Sequence, residues 1–320
     1  MTLKKIQCNL IIFFPIWAAF SCERFISVWF FIELNILRFI LFGYYTKDSE
    51  SIIKYFFTQA IASGSLLTIY LLSLGFVHIQ ESLVFFITLI VYRKLGVPPF
   101  YLWFVRIVSR IRESLLIFYL CTVQKLIPLY LLRLTRPLML VFLWFGLLAT
   151  FLGSLAQTSF KKLLAYSRIF NSFWLILSAF SNYLIISFFL IYSLNLLTAL
   201  FSMNKNFLTN VNSDLYFRNI RFKSIVVLII LFLRMAGIPP FWGFLSKIIV
   251  ISSLIESSQN WEFVFRFNLL GFTFYIIYFY IRFFFDFLNK KNFFFIEANS
   301  SHYNLIPIIL IFLSLNVIFL

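Results

Sequence analysis

Four side chains in this sequence carry a titratable charge inside runs that are otherwise almost wholly apolar. Glu33 stands in "VWFFIELNILRF", Lys94 in "YRKLGVPPF", Lys125 in "CTVQKLIPLY" and Lys247 in "GFLSK". A carboxylate and an amine can each take up and release a proton, so the chemistry open to this set is proton transfer. An ionisable group at the middle of a membrane span costs roughly 2.5 to 3.5 kcal/mol on insertion scales, so each one asks for a compensating reason. Arg38, Arg93, Arg168, Arg234 and Arg282 also fall in apolar runs. A guanidinium holds its proton, so these anchor or tune rather than carry.

The lysines come with interrupted helices. Gly96-Val97-Pro98-Pro99-Phe100 and Gly237-Ile238-Pro239-Pro240-Phe241 repeat one another, with Lys94 before the first pair of prolines and Lys247 after the second. Proline has no N–H, so it leaves the carbonyl four residues back without its helical partner. Pro98 thereby frees the carbonyl of Lys94, and Pro99 that of Leu95. Pro239 and Pro240 free Met235 and Ala236, and Pro128 frees Gln124, next to Lys125. Loose backbone groups at membrane depth persist only where water or protein satisfies them. Each break is therefore expected to sit beside a polar, hydrated pocket with a lysine at its edge.

Composition places these residues in a bilayer. Hydrophobic residues make up 62% of the 320, charged residues 12%, and phenylalanine alone contributes 47. A soluble domain keeps roughly a quarter of its residues charged. Set against the roughly 20 apolar residues needed to cross a bilayer, the runs give about eleven spans. They lie near 6–22, 25–45, 52–76, 82–104, 113–133, 137–157, 162–180, 183–203, 224–254, 264–285 and 303–320. The polar stretches between them are short loops, so residues 1–320 read as one transmembrane domain, helical in every span. The opening "MTLKKIQCNLIIFFPIWAAFSC" has the order of a signal peptide, but a first span with a basic flank has it too, and we read it as that span.

The net charge of +16 is a topology signal. With the spans assigned, Lys4, Lys5, Lys161, Lys162, Lys205 and Lys290 and most other cations gather on one side, against Arg24, Arg133, Arg136 and Arg266 on the other. That asymmetry puts the amino terminus in the cytoplasm or matrix and, with an odd span count, the carboxyl terminus outside. No basic-aromatic groove for nucleic acid is needed to account for it. Cys8, Cys22 and Cys121 lack Cys-x-x-Cys spacing, and His78 and His302 stand far apart. Haem, zinc and copper sites need more soft or imidazole ligands than this, so no metal and no resident redox centre is expected.

In order along the chain, the motifs resemble subunit 2 of the membrane arm of mitochondrial respiratory complex I, within the antiporter-like family. They are Trp29 with Glu33-Leu34-Asn35, Lys54-Tyr55-Phe56-Phe57-Thr58-Gln59-Ala60, Lys94-Leu95-Gly96 with Pro99, Phe100 and Trp103, and Gln124-Lys125 with Pro128. "QTSFKKLLAYSRI" from Gln157 to Ile169 and Gly237 to Lys247 complete them. The resemblance implies an all-α polytopic fold, an antiporter-like inverted-repeat bundle with two Pro-Pro-broken helices. It implies a subunit of proton-translocating NADH:ubiquinone reductase in the mitochondrial inner membrane, amino terminus toward the matrix and carboxyl terminus toward the intermembrane space.

By the same resemblance Glu33 and Lys94 match an interacting pair, Lys125 a central membrane lysine and Lys247 the lysine toward the exit, with Asn35, Gln124, Tyr101 and Ser167 as supporting polar groups. NADH, FMN, iron–sulfur clusters and ubiquinone would belong to other subunits. Partners would be membrane-arm neighbours on both sides, accessory subunits and lipids. Tyr101 stands where many relatives carry histidine, and Arg106, Arg168 and Arg234 are further departures. Two other readings share these residues: a subunit of a multi-subunit cation/proton antiporter, and a structural subunit that braces an assembly without a pumping path of its own.

Overall fold

The computed structural model describes residues 15–22, 24–44, 49–75, 80–131, 139–155, 157, 159–178, 184–202, 230–237 and 241–256, with a few single positions between 271 and 280. Pro239, Pro240, most of the expected spans at 6–22 and 264–285, and all of 303–320 lie outside the described residues.

The described elements are helices: α1 (Phe25–Tyr44), α2 (Ser49–Gly75), α3 (Gln80–Leu95), α4 (Leu102–Arg110), α5 (Ser114–Cys121), α6 (Val123–Leu131), α7 (Met139–Leu155), α8 (Phe160–Ser178), α9 (Leu184–Ser202) and α10 (Trp242–Glu256). Helical turns also cover 15–21 and 230–236. Phe25–Gly43, Ser49–Gly75 and Ser114–Leu131, taken as one run, are long and apolar enough to cross a membrane. The shorter apolar helices are Phe145–Ser154, Ile186–Leu200 and Gly243–Ser252.

The chain forms two compact units: Met1–Thr150 with Arg168–Asn182, and Phe151–Ser167 with Tyr183–Leu320. In the first unit α1 packs along α2, α2 against α3 and α4, and α6 against α1, α3 and α5. In the second unit α9 packs on α10. Helical spacing decides which faces meet. Val28, Ile32, Ile36 and Phe39 on α1 are buried, while Phe30, Leu37 and Leu41 on the same helix stay exposed, as do Ile53, Phe57 and Ile61 on α2. An outer apolar face suits lipid, so both sides of these helices can be hydrophobic.

Hydroxyls are absorbed within the helices. Ser63, Ser65, Thr88, Ser178 and Thr198 each donate to the carbonyl three residues back, which satisfies a polar group without a neighbouring helix.

The span expected at 113–133 is interrupted between α5 and α6, at Thr122, whereas the sequence placed its irregularity at Pro128. Pro128 lies inside α6. Thr122 leaves helical geometry with φ −120 and ψ −71, and the Lys125 N–H bonds the Thr122 carbonyl at 3.0 Å. Restarting the helix there confines the effect of the proline to one lost bond inside a short segment.

Candidate functional site

The first break closes α3 and opens α4. Gly96 takes φ 67, its N–H bonds the Arg93 carbonyl at 3.2 Å, and the Val97 N–H bonds the Tyr92 carbonyl at 3.1 Å. That pairing is the helix-ending arrangement that favours glycine in the left-handed region. A Cβ at Gly96 would stand 2.9 Å from Phe104 Cβ. The Pro98–Pro99 peptide bond is cis. The chain then re-enters helix after Tyr101, whose carbonyl accepts from the Phe104 N–H at 3.0 Å.

Protein donors meet the carbonyls around this break. Gln59 Nε2 donates to the Lys94 carbonyl at 3.2 Å, the very group Pro98 leaves loose. Trp103 Nε1 donates to the Arg93 carbonyl at 3.0 Å. Lys94 itself is only 4% exposed, and its amine has no hydrogen-bond partner among the described residues. Glu33, half-buried on α1, acts electrostatically on Lys94 and on Tyr55. The pair Glu33 and Lys94 is thus brought into one electrostatic neighbourhood, without a direct ion pair within 4 Å among the described contacts.

Lys125 is 2% exposed and better supplied. Its amine donates to Ser172 Oγ at 3.0 Å and stands 4.8 Å from the centroid of the Phe104 ring. The Ser172 hydroxyl in turn lies 2.9 Å from the Arg168 carbonyl and 2.8 Å from that of Ile169. Cys121 and Arg168 share the electrostatic surroundings of the lysine. One residue before Lys125, Gln124 Nε2 donates to the Asn35 carbonyl, and Asn35 Nδ2 donates to Gln124 Oε1, both at 3.4 Å. Asn35 and Gln124, expected as supporting groups, therefore tie α1 to α6. Tyr101 caps α4 through its backbone, and Ser167 donates to the Leu164 carbonyl of its own helix at 2.8 Å.

The second break lies in the other unit. Gly237 takes φ 79, and its N–H lies 3.1 Å from the Leu233 carbonyl and 3.3 Å from that of Arg234. Lys247, 4% exposed, points its amine back from α10 onto the carbonyl of Ala236. Pro240 is the residue that frees this carbonyl. The approach is tight. A Cβ at Gly237 would stand 2.9 Å from Lys247 Nζ, and one at Gly243 would stand 2.1 Å from the Arg234 carbonyl oxygen.

Gln59, Trp103 and Ser172 were not picked out by sequence as site residues. The freed carbonyls do carry the signal: a buried carbonyl without its helix partner demands a donor, and Gln59 and Trp103 are such donors in neighbouring apolar runs. Ser172, one turn after Arg168 in a run of hydrophobic residues, has no comparable mark. Among the described residues no group of three or more His, Cys, Asp or Glu side chains is arranged to hold a metal ion.

A family model described as "NADH:quinone oxidoreductase/Mrp antiporter, TM" matches residues 22–273. The NADH-ubiquinone oxidoreductase chain 2 of Anopheles gambiae is 30% identical over 302 residues, which covers 88% of this chain and 85% of that protein. Its counterpart from Locusta migratoria is 30% identical over 284 residues, covering 83% and 80%. Among solved structures, a chain of "Respiratory complex I from Thermus thermophilus with bound Aureothin" superposes with a TM-score of 0.73, covering 99% of this chain and 78% of that one at 16% sequence identity.

Proposed function

Because the chain belongs to the NADH:quinone oxidoreductase/Mrp antiporter membrane family, we propose that it is a core membrane-arm subunit of respiratory complex I that couples NADH oxidation by ubiquinone to proton translocation. It is a multi-pass protein of the inner membrane and a subunit of the NADH-oxidising enzyme. Both compact units are taken as one transmembrane domain over residues 1–320, with the amino terminus on the matrix side. NADH, FMN, iron–sulfur clusters and ubiquinone are assigned to other subunits, and the neighbours to further membrane-arm and accessory subunits and lipids.

One observation carries the reading: Lys94, Lys125 and Lys247 are all buried, and each stands beside a helix interruption. Three buried amines in a bilayer protein are too costly to be incidental, at roughly 2.5 to 3.5 kcal/mol each. In the first unit, Glu33 and Lys94 form the input. A change in their pairing, set by quinone chemistry elsewhere in the complex, alters how readily Lys125 holds its proton. The hydrogen-bonded link from Asn35 to Gln124 couples the two sites mechanically. In the second unit Lys247 is the proton-carrying group. Moving one proton against 100 mV takes about 2.3 kcal/mol, within reach of a rearranged buried ion pair.

The test is Lys125→Ala in assembled complex, with NADH oxidation and proton translocation measured together. We expect protons moved per NADH to fall while the assembly persists. Unchanged stoichiometry in an assembled complex removes Lys125 from the path and leaves a bracing subunit. The family also takes in cation/proton antiporters. Co-purification with an NADH-oxidising arm separates that alternative.

A further inference from the structure

Tyr55 is among the largest fully buried side chains of the molecule, 1% exposed, and its hydroxyl has no hydrogen-bond partner among the described residues. A buried hydroxyl left dry costs about 1 to 3 kcal/mol, and phenylalanine would fill the same space without that cost. The ring is not free to seek a partner. It packs on Phe39 with centroids 4.5 Å apart and lies 6.1 Å from the Trp103 ring, so the hydroxyl is held where the chain puts it.

Its surroundings are those of the first break. Tyr55 lies one helical turn before Gln59 on α2, hence on the same face, and Gln59 is the donor to the Lys94 carbonyl. The Lys94 amine is also buried without a hydrogen-bond partner, and the Glu33 carboxylate acts on both groups. Two orphaned polar atoms, one a triple donor and one both donor and acceptor, thus share the electrostatic influence of a carboxylate that is an acceptor only. Buried water makes about three hydrogen bonds to groups of this kind.

We propose that Tyr55 is a proton-relay residue, its hydroxyl holding ordered water between Lys94 and Glu33. This rests on the input role given above to those two residues. In the step, the Lys94 ammonium gives a proton to a water and that water gives one to the Tyr55 oxygen. The phenolic proton passes to a second water, which protonates the Glu33 carboxylate. Each oxygen of the relay ends with the protons it began with, Lys94 ends neutral, Glu33 ends protonated, and total charge is conserved. The phenolate never forms as an intermediate, because gain and loss at the hydroxyl are concerted.

Tyr55→Phe removes one oxygen and keeps the ring contacts. In complex carrying this variant, proton translocation per NADH is expected to fall by roughly threefold or more, with the assembled amount unchanged and the solvent deuterium isotope effect on translocation altered. Unchanged translocation and isotope effect overturn the proposal, and a more heat-stable complex with normal pumping marks the hydroxyl as a dry packing defect. Lys94→Met measured alongside separates the two levels. If Lys94→Met pumps normally the role of Lys94 fails; if it does not and Tyr55→Phe does, only the relay fails. A second reading needs no variant: in a structure of the native complex that shows ordered water, a water bonded to the Tyr55 hydroxyl supports the relay, and a dry hydroxyl overturns it.

Discussion

At the end of α3 the Lys94 carbonyl is met by Gln59, while at the approach to α10 the Ala236 carbonyl is met by the amine of Lys247. The two stretches share Gly-x-Pro-Pro-Phe and a glycine with positive φ, yet they divide the work differently. In the first, a neutral amide repairs the backbone and the buried amine is kept apart from that repair. In the second, repair and charge sit on one side chain. A charge-assisted hydrogen bond is about twice as strong as a neutral one, so the second repair weakens whenever its lysine gives up a proton. The first does not respond in that way, since Gln59 has nothing to lose. The same scaffold thus yields one break met by a neutral amide and another met by an ionisable amine.

The strongest challenge to this contrast comes from Gly243. A Cβ added there would stand 2.1 Å from a backbone oxygen, so Gly243→Ala has no flexible neighbour to displace, and a cost of about 3 kcal/mol or more is expected. The residue at the same offset from the first turn glycine is Leu102, half exposed, where Leu102→Ala should change the amount of assembled complex little. Native electrophoresis of both variants checks this, and equal losses would erase the difference between the breaks. Next in size is the pair Lys247→Met and Gln59→Leu. Each strands a buried carbonyl, so each should lower the thermal stability of the complex by a similar amount, about 1 to 3 kcal/mol. Only Lys247→Met should also lower protons moved per NADH by a large factor. If Gln59→Leu matches it, the distinction between neutral and charged repair is wrong. The smallest effect belongs to Glu50, which accepts from Lys54 and, at 2.5 Å, from Arg110, tethering α4 to the start of α2 from outside. Glu50→Gln should produce a slight loss of heat stability that disappears in high salt, because exposed pairs are screened.

The elements were legible where their cause is local. Long apolar runs demand helices, and Pro-Pro with a preceding glycine demands a stop, so α1, α2 and the turn at Gly96 follow from sequence. The burial of Lys94, Lys125 and Lys247 agrees with their reading as inward groups. The interruption at Thr122 was not legible, since threonine sits comfortably in other helices of this chain and only packing selects this one. Nor were the partners legible. Which donor meets the Lys94 carbonyl depends on how α2 lies against α3, a tertiary fact that one sequence does not state. Ser167, expected as a supporting polar group, donates to the Leu164 carbonyl of its own helix.

The closeness of Gly243 to the Arg234 carbonyl has a consequence for what the chain can carry there. Backbone lies so near backbone that the first turn of α10 has room only for a residue without a side chain, and any larger one has to push the two segments apart.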